Sequence, residues 1–130
     1  MLKNEWGDET KTFVYCKFTP DWTWDEFHSN RPQYEAMLGS VNHRVDFVGD
    51  FSDAPMLPPN VFDHTKNVYQ NRLENEGYTI IVGAGKYVQL MYDLLAQTLP
   101  LVRQFVIFVP DMKTAYEIVQ AKRDSTEVNL

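Results

Sequence analysis

The sequence has 130 residues, of which 44% are hydrophobic and 14% aromatic, with a formal net charge of -6. That length and apolar share suit one domain with one core, and the single cysteine, Cys16, excludes an internal disulfide. An acidic chain without a basic patch excludes phosphate-neutralising contact with nucleic acid or an anionic membrane surface, and no run of eighteen apolar residues is present to span a bilayer.

Residues 1–11 are polar and charged apart from Trp6 and show neither helical nor strand period. They predict a flexible arm without a signal segment, and hence a cytoplasmic protein. Thr12 to Thr19 is rich in aromatic and β-branched residues and closes on Pro20-Asp21, which predicts a first strand with Cys16 as a small core hydrophobe. Thr23-Trp24-Asp25-Glu26 has the form of a capping box, so a helix begins there. Trp24, Phe27, Tyr34, Met37 and Leu38 fall on one face, and Pro32 splits the pattern near Asn30. Trp22, in the turn before, is the candidate for an exposed contact.

Arg44 to Phe51 is apolar at odd and even positions, as in a strand covered on both faces, and Asp46 needs a partner if it points inward. A polar turn follows, and Pro58 or Pro59 suits the first position of a helix whose apolar face runs to about Asn75, with Gly77 as its stop. Tyr78 to Val82, between two glycines, reads as a buried strand. A helix from Lys86 to Leu99 ends near Pro100. Phe105 to Val109 is a further strand, and Asp111 caps a last helix.

This alternation predicts an α/β domain with a mainly parallel central sheet of about four to five strands and flanking helices. The domain runs over 12–123, and 124–130 form a frayed tail. The turns after Phe51, Val82 and Val109 should open at one end of the sheet, bringing Asp50, Ser52, Asn60, Gly83, Gly85 and Lys86 near one another.

Chemistry is sparse. Gly83-Ala84-Gly85-Lys86 precedes a helix and can face an anion, but it lacks the spacing of either glycine-rich nucleotide motif. Asp46 and Asp50 are about 13 Å apart along a strand and cannot act on one bond. Asp50 and Asp53 are closer across the turn, where such residues more often make turn hydrogen bonds. His28, His43 and His64 lie in separate segments without a metal spacing, and no serine sits in a nucleophile elbow. No cofactor or metal is expected, and no catalytic set is visible.

From Thr12 to Lys122 the element order resembles the STAS domain of anti-sigma-factor antagonists and anion-transporter tails. Asp50-Phe51-Ser52 matches the Asp-x-Ser that ends the family's central strand, and Met56-Leu57-Pro58-Pro59-Asn60-Val61-Phe62 stands where the family often has Phe-Ile-Asp-Ser-Ser-Gly-Leu. The serine phosphorylated in antagonist members corresponds to Asn60, which takes no phosphate. The resemblance therefore implies a SpoIIAA-like, non-enzymatic bacterial regulatory module without that switch. It would meet a protein partner through residues 50–62, with Asp50, Ser52, Asp53, Asn60 and Phe62 as contacts. The alternative is a binding domain for a nucleotide, anion or lipid near Gly83, Gly85 and Lys86. A homodimer through exposed helix faces is compatible with either.

Overall fold

The computed structural model describes residues 2–128, with side-chain surroundings over residues 2–121. Five strands form one sheet in chain order: β1 (Asn4–Trp6), β2 (Phe13–Lys17), β3 (Val45–Asp50), β4 (Glu76–Val82) and β5 (Val106–Val109). β1 is antiparallel to β2, and β2 to β5 are parallel. The α/β class and the mainly parallel sheet follow the alternation read from the sequence.

β1 lies in the segment read as an arm. Three residues are too few to display a period, and what fixes them is tertiary. Leu2 and Asn4 are buried, the Asn30 side-chain amide donates to the Leu2 carbonyl at 2.8 Å, and Asn4 donates back to the Asn30 carbonyl at 3.4 Å.

The crossovers are α1 (Trp24–Ser29) with α2 (Arg31–Gly39), then α3 (Val61–Gln70), then α4 (Lys86–Thr98) with α5 (Pro100–Phe105); α6 (Met112–Val128) closes the chain. Parallel strands laid side by side in sequence, joined by right-handed crossovers, put every intervening helix on one face. That face carries Val14, Cys16, Val45, Phe47, Ile81 and Phe108, packed with residues of α1, α2 and α4. The opposite face carries Phe13, Val48, Ile80, Val82 and Val109 against Ala115 and Val119 of α6. β3 is thus buried on both sides, as its continuous apolar character requires. The expected fraying over 124–130 is addressed only as far as Val128, where α6 ends; residues 129–130 lie outside the described residues.

Local chemistry sets the helix ends. The Thr23 hydroxyl accepts from the Glu26 amide at 3.1 Å, and Pro32 sits in the first turn of α2, so Asn30 ends one helix and opens the next. Three readings are corrected. Neither Pro58 nor Pro59 opens α3, which begins at Val61 after Asn60 with φ of 67°. Each proline holds the residue before it in extended backbone, and Asn is among the few side chains that tolerate the left-handed region. Gly77 is not a helix stop but lies within β4, where a Cβ would collide with Asp46 Oδ1. That space lets the buried Asp46 carboxylate accept from the Tyr78 amide at 2.8 Å and face Arg44 at 3.6 Å. Trp22 is not an exposed contact: it is 5% exposed and packs edge-on against Phe18 at 4.8 Å.

Candidate functional site

At the C-terminal end of the parallel sheet, Lys17, Asp50, Val82 and Val109 stand side by side in register. Asp50 is buried, and both its oxygens are engaged. Tyr15 donates to Oδ2 at 2.7 Å, while the Ser52 amide and hydroxyl donate to Oδ1 at 3.0 and 2.7 Å. Burial pushes the Asp50 carboxyl up, but the Ser52 and Tyr15 hydrogen bonds, with the Lys17 charge, bring it below its ordinary value. Three donors on the roughly four lone-pair sites of the carboxylate suit a structural acceptor that ties β3 to its neighbour and to its own turn.

Gly83, at φ of 68°, passes so close to Ser52 that a Cβ would meet the Ser52 Cβ at 3.1 Å. The expected convergence therefore holds for Asp50, Ser52 and Gly83. Asp53 points outward to an ion pair with Lys17 at 3.0 Å. Asn60, Phe62, Gly85 and Lys86 are exposed, and among the described residues no hydrogen bond or ion pair links Asn60, Gly85 or Lys86 to the Asp50–Ser52 pair. Among those residues, too, no group of three His, Cys, Asp or Glu can hold a metal, and no helix is long and apolar enough to cross a membrane.

The larger feature is a cavity of about 190 Å³ between the sheet and the helices α1 to α5. Its floor is one face of the sheet, with Cys16, Phe47, Ile81 and Phe108. Its walls come from Phe27 of α1, Tyr34 of α2, Val88, Tyr92 and Leu95 of α4 and Val102 of α5, and Val61, Thr65, Val68 and Tyr69 of α3 form one side. Helix α3 buries only Val61 and stands off the sheet. It is held instead by contacts from its neighbours. Trp24 Nε1 donates to the Pro58 carbonyl at 3.3 Å, and the Trp24 ring stacks on His64 at 4.8 Å. His28 Nε2 meets His64 Nδ1 at 2.9 Å, and Arg31 donates to the Asn71 carbonyl at 2.5 Å.

One end of the cavity is polar. Arg31 pairs with Glu76 at 3.3 Å, the Arg31 guanidinium lies 5.3 Å from the Tyr34 ring, and the Tyr69 hydroxyl donates to Thr79 at 3.3 Å. Burial, then the Glu76 charge, pushes the Tyr34 phenol up against the opposing charges of Arg31 and Arg72. Burial likewise pushes the Cys16 thiol up to about 11, so it is an inert lining group rather than a nucleophile.

Apart from Trp22, read from the sequence as an exposed contact, none of the lining residues named above was singled out as a contact from the sequence. In a one-dimensional reading Phe27, Phe47, Tyr69 and Phe108 are core positions on periodic elements, and nothing in their spacing says that they face a space instead of one another. The approach of His28 to His64 was equally invisible, because it joins two helices 36 residues apart. No protein-family model, curated protein or solved structure matches the chain.

Proposed function

We propose that the chain is a non-enzymatic binding domain that encloses a small apolar ligand between its sheet and helices α1 to α5. The cavity of about 190 Å³ carries this reading. Interiors are packed like organic crystals, and this space, partly open to solvent, leaves apolar side chains uncovered that an occupant would take out of water. The aromatic lining suits an apolar occupant rather than a nucleotide. The test is thermal unfolding with ethylbenzene. Tm rises with its concentration, and the rise disappears in Val68→Trp, which fills the space from α3. A Tm that stays flat in the unsubstituted protein rejects the reading.

A second reading, a STAS-like module meeting a protein partner through residues 50–62, is favoured by the exposure of Met56 (55%) and Phe62 (42%) on either side of Asn60. Replacing Asn60 and Phe62 together should weaken the binding of a partner that co-purifies with the chain; unchanged affinity for every such partner removes this reading.

A further inference from the structure

Resting on the cavity reading above, we infer that α3 is the movable wall of the cavity, latched to α1 by the His28–His64 contact, and that acid frees it to widen the way in and out for a ligand. Packing gives the first ground. α2, α4 and α5 each set a buried apolar side chain into the core, Leu38, Val88 and Val102 among them. In α3 the one buried residue is Val61, its first, while Thr65, Val68 and Tyr69, which line the cavity, are only half-buried. The helix is tied at both ends. Val61 is the tie at one, and beyond Asn71 the Leu73 amide donates to the Glu76 carboxylate at 3.0 Å and Arg72 to the Glu76 carbonyl at 2.9 Å. A segment with few buried apolar contacts opens before the rest of a fold does.

A second recess gives the next ground. About 160 Å³ lies between α3 and the pair α1 and α2, lined by His28, Glu35, Asn67 and Asn71, and it shares Phe27, Arg31 and Val68 with the main cavity. Those three side chains stand between the two spaces, so an outward shift of α3 at Val68 joins them. The latch crosses the same seam. His28 Nε2 and His64 Nδ1, 2.9 Å apart, share one hydrogen. A first added proton can sit on an outward nitrogen, but a second sets N–H against N–H and charge against charge. Of the charges around the pair, Asp25 on α1 favours the proton, and Arg31 on α2, paired with Glu35 at 3.9 Å and Glu76 at 3.3 Å, opposes it. On α3 itself, Asp63 and Lys66 flank His64 at exposed positions. Burial, then His64, outweighs Asp25 and holds His28 below its ordinary value. The closed wall therefore resists a proton that the open one accepts.

The experiment is hydrogen–deuterium exchange of the full chain at pH 7.5 and 5.5, corrected for the intrinsic rate at each pH, with the dissociation rate of ethylbenzene followed by magnetisation-transfer NMR at the same two values. The α3 amides should be less protected than those of β3 and β4 at both. Acid should cut α3 protection several-fold, with a ceiling of about tenfold for one proton taken up at an ordinary histidine value of about 6.5, and speed the departure of ethylbenzene by a like factor. In His64→Gln both responses to acid should vanish, while β3 and β4 amides that stay better protected than those of α3 show that the variant is folded. Amides of α3 as protected as those of β3 and β4 open only with the whole fold and overturn the inference. A response to acid that persists in His64→Gln, or an ethylbenzene rate indifferent to pH, does the same. In each of these cases ethylbenzene still binds and the cavity reading stands; ethylbenzene that does not bind at pH 7.5 rejects both.

Discussion

Asp50 closes β3 with both carboxylate oxygens occupied, and its three donors come from two different segments, Tyr15 on β2 and Ser52 in the following turn. The arrangement ties the end of one strand to its neighbour and to its own turn. Burial first, and then the Asp50 hydrogen bond, pushes the Tyr15 phenol up to about 12, so it stays a donor across the working range of pH. Tyr15→Phe removes one charge-assisted hydrogen bond while keeping the ring, and should lower stability by about 1 to 2 kcal/mol. Urea unfolding measures it, and a midpoint equal to that of the unsubstituted chain would show the bond to be worth nothing. Gly77 makes the same kind of point by absence. Only a residue without a Cβ leaves room for the Asp46 carboxylate beside β4, and the sequence displays the glycine without displaying the carboxylate that it accommodates.

Between elements, the seam of α1 and α3 is held by rings more than by aliphatic packing. His64 is sandwiched by a stack on Trp24 and a hydrogen bond to His28, so one imidazole of the pair must supply a lone pair to the other. Burial, then the nearby His64 and Arg31 charges, holds His28 below its ordinary value of 6.5 despite the opposing Asp25 carboxylate. Below that ordinary value the unfolded chain takes up a proton that the folded chain resists, so stability rises with pH across the window and is lost as pH falls from about 6.5 towards the folded value. His64→Gln keeps a side chain able to hydrogen-bond and removes the facing charge. Its Tm should therefore fall less than that of the unsubstituted chain between about pH 7.5 and 5.5, and parallel losses in the two proteins would count against the pair as the cause.

For the whole molecule, the strands and their order were legible because β2 to β5 are short, β-branched or aromatic runs bounded by turn residues, a signal that needs no knowledge of neighbours. The helix boundaries at Thr23 and Pro32 were legible for the same reason, since a cap or a proline acts within one turn. β1 and α5 were not, because three and six residues take their structure from what they touch. Of the site, the meeting of Ser52 and Gly83 was implied by topology, while the cavity was hidden. Tyr34, Phe47 and Tyr69 carry the same amphipathic pattern whether they pack face to face or leave a space. The sheet itself has a further consequence, in the order of its making. Each parallel strand pairs with the one made before it, so no strand must be threaded between two already joined. Every new pairing closes a single crossover, which keeps the entropic cost of loop closure local. A chain emerging from its N-terminus can lay this sheet down one strand at a time, always at the same growing edge, and the four residues of β5 are where that growth stops.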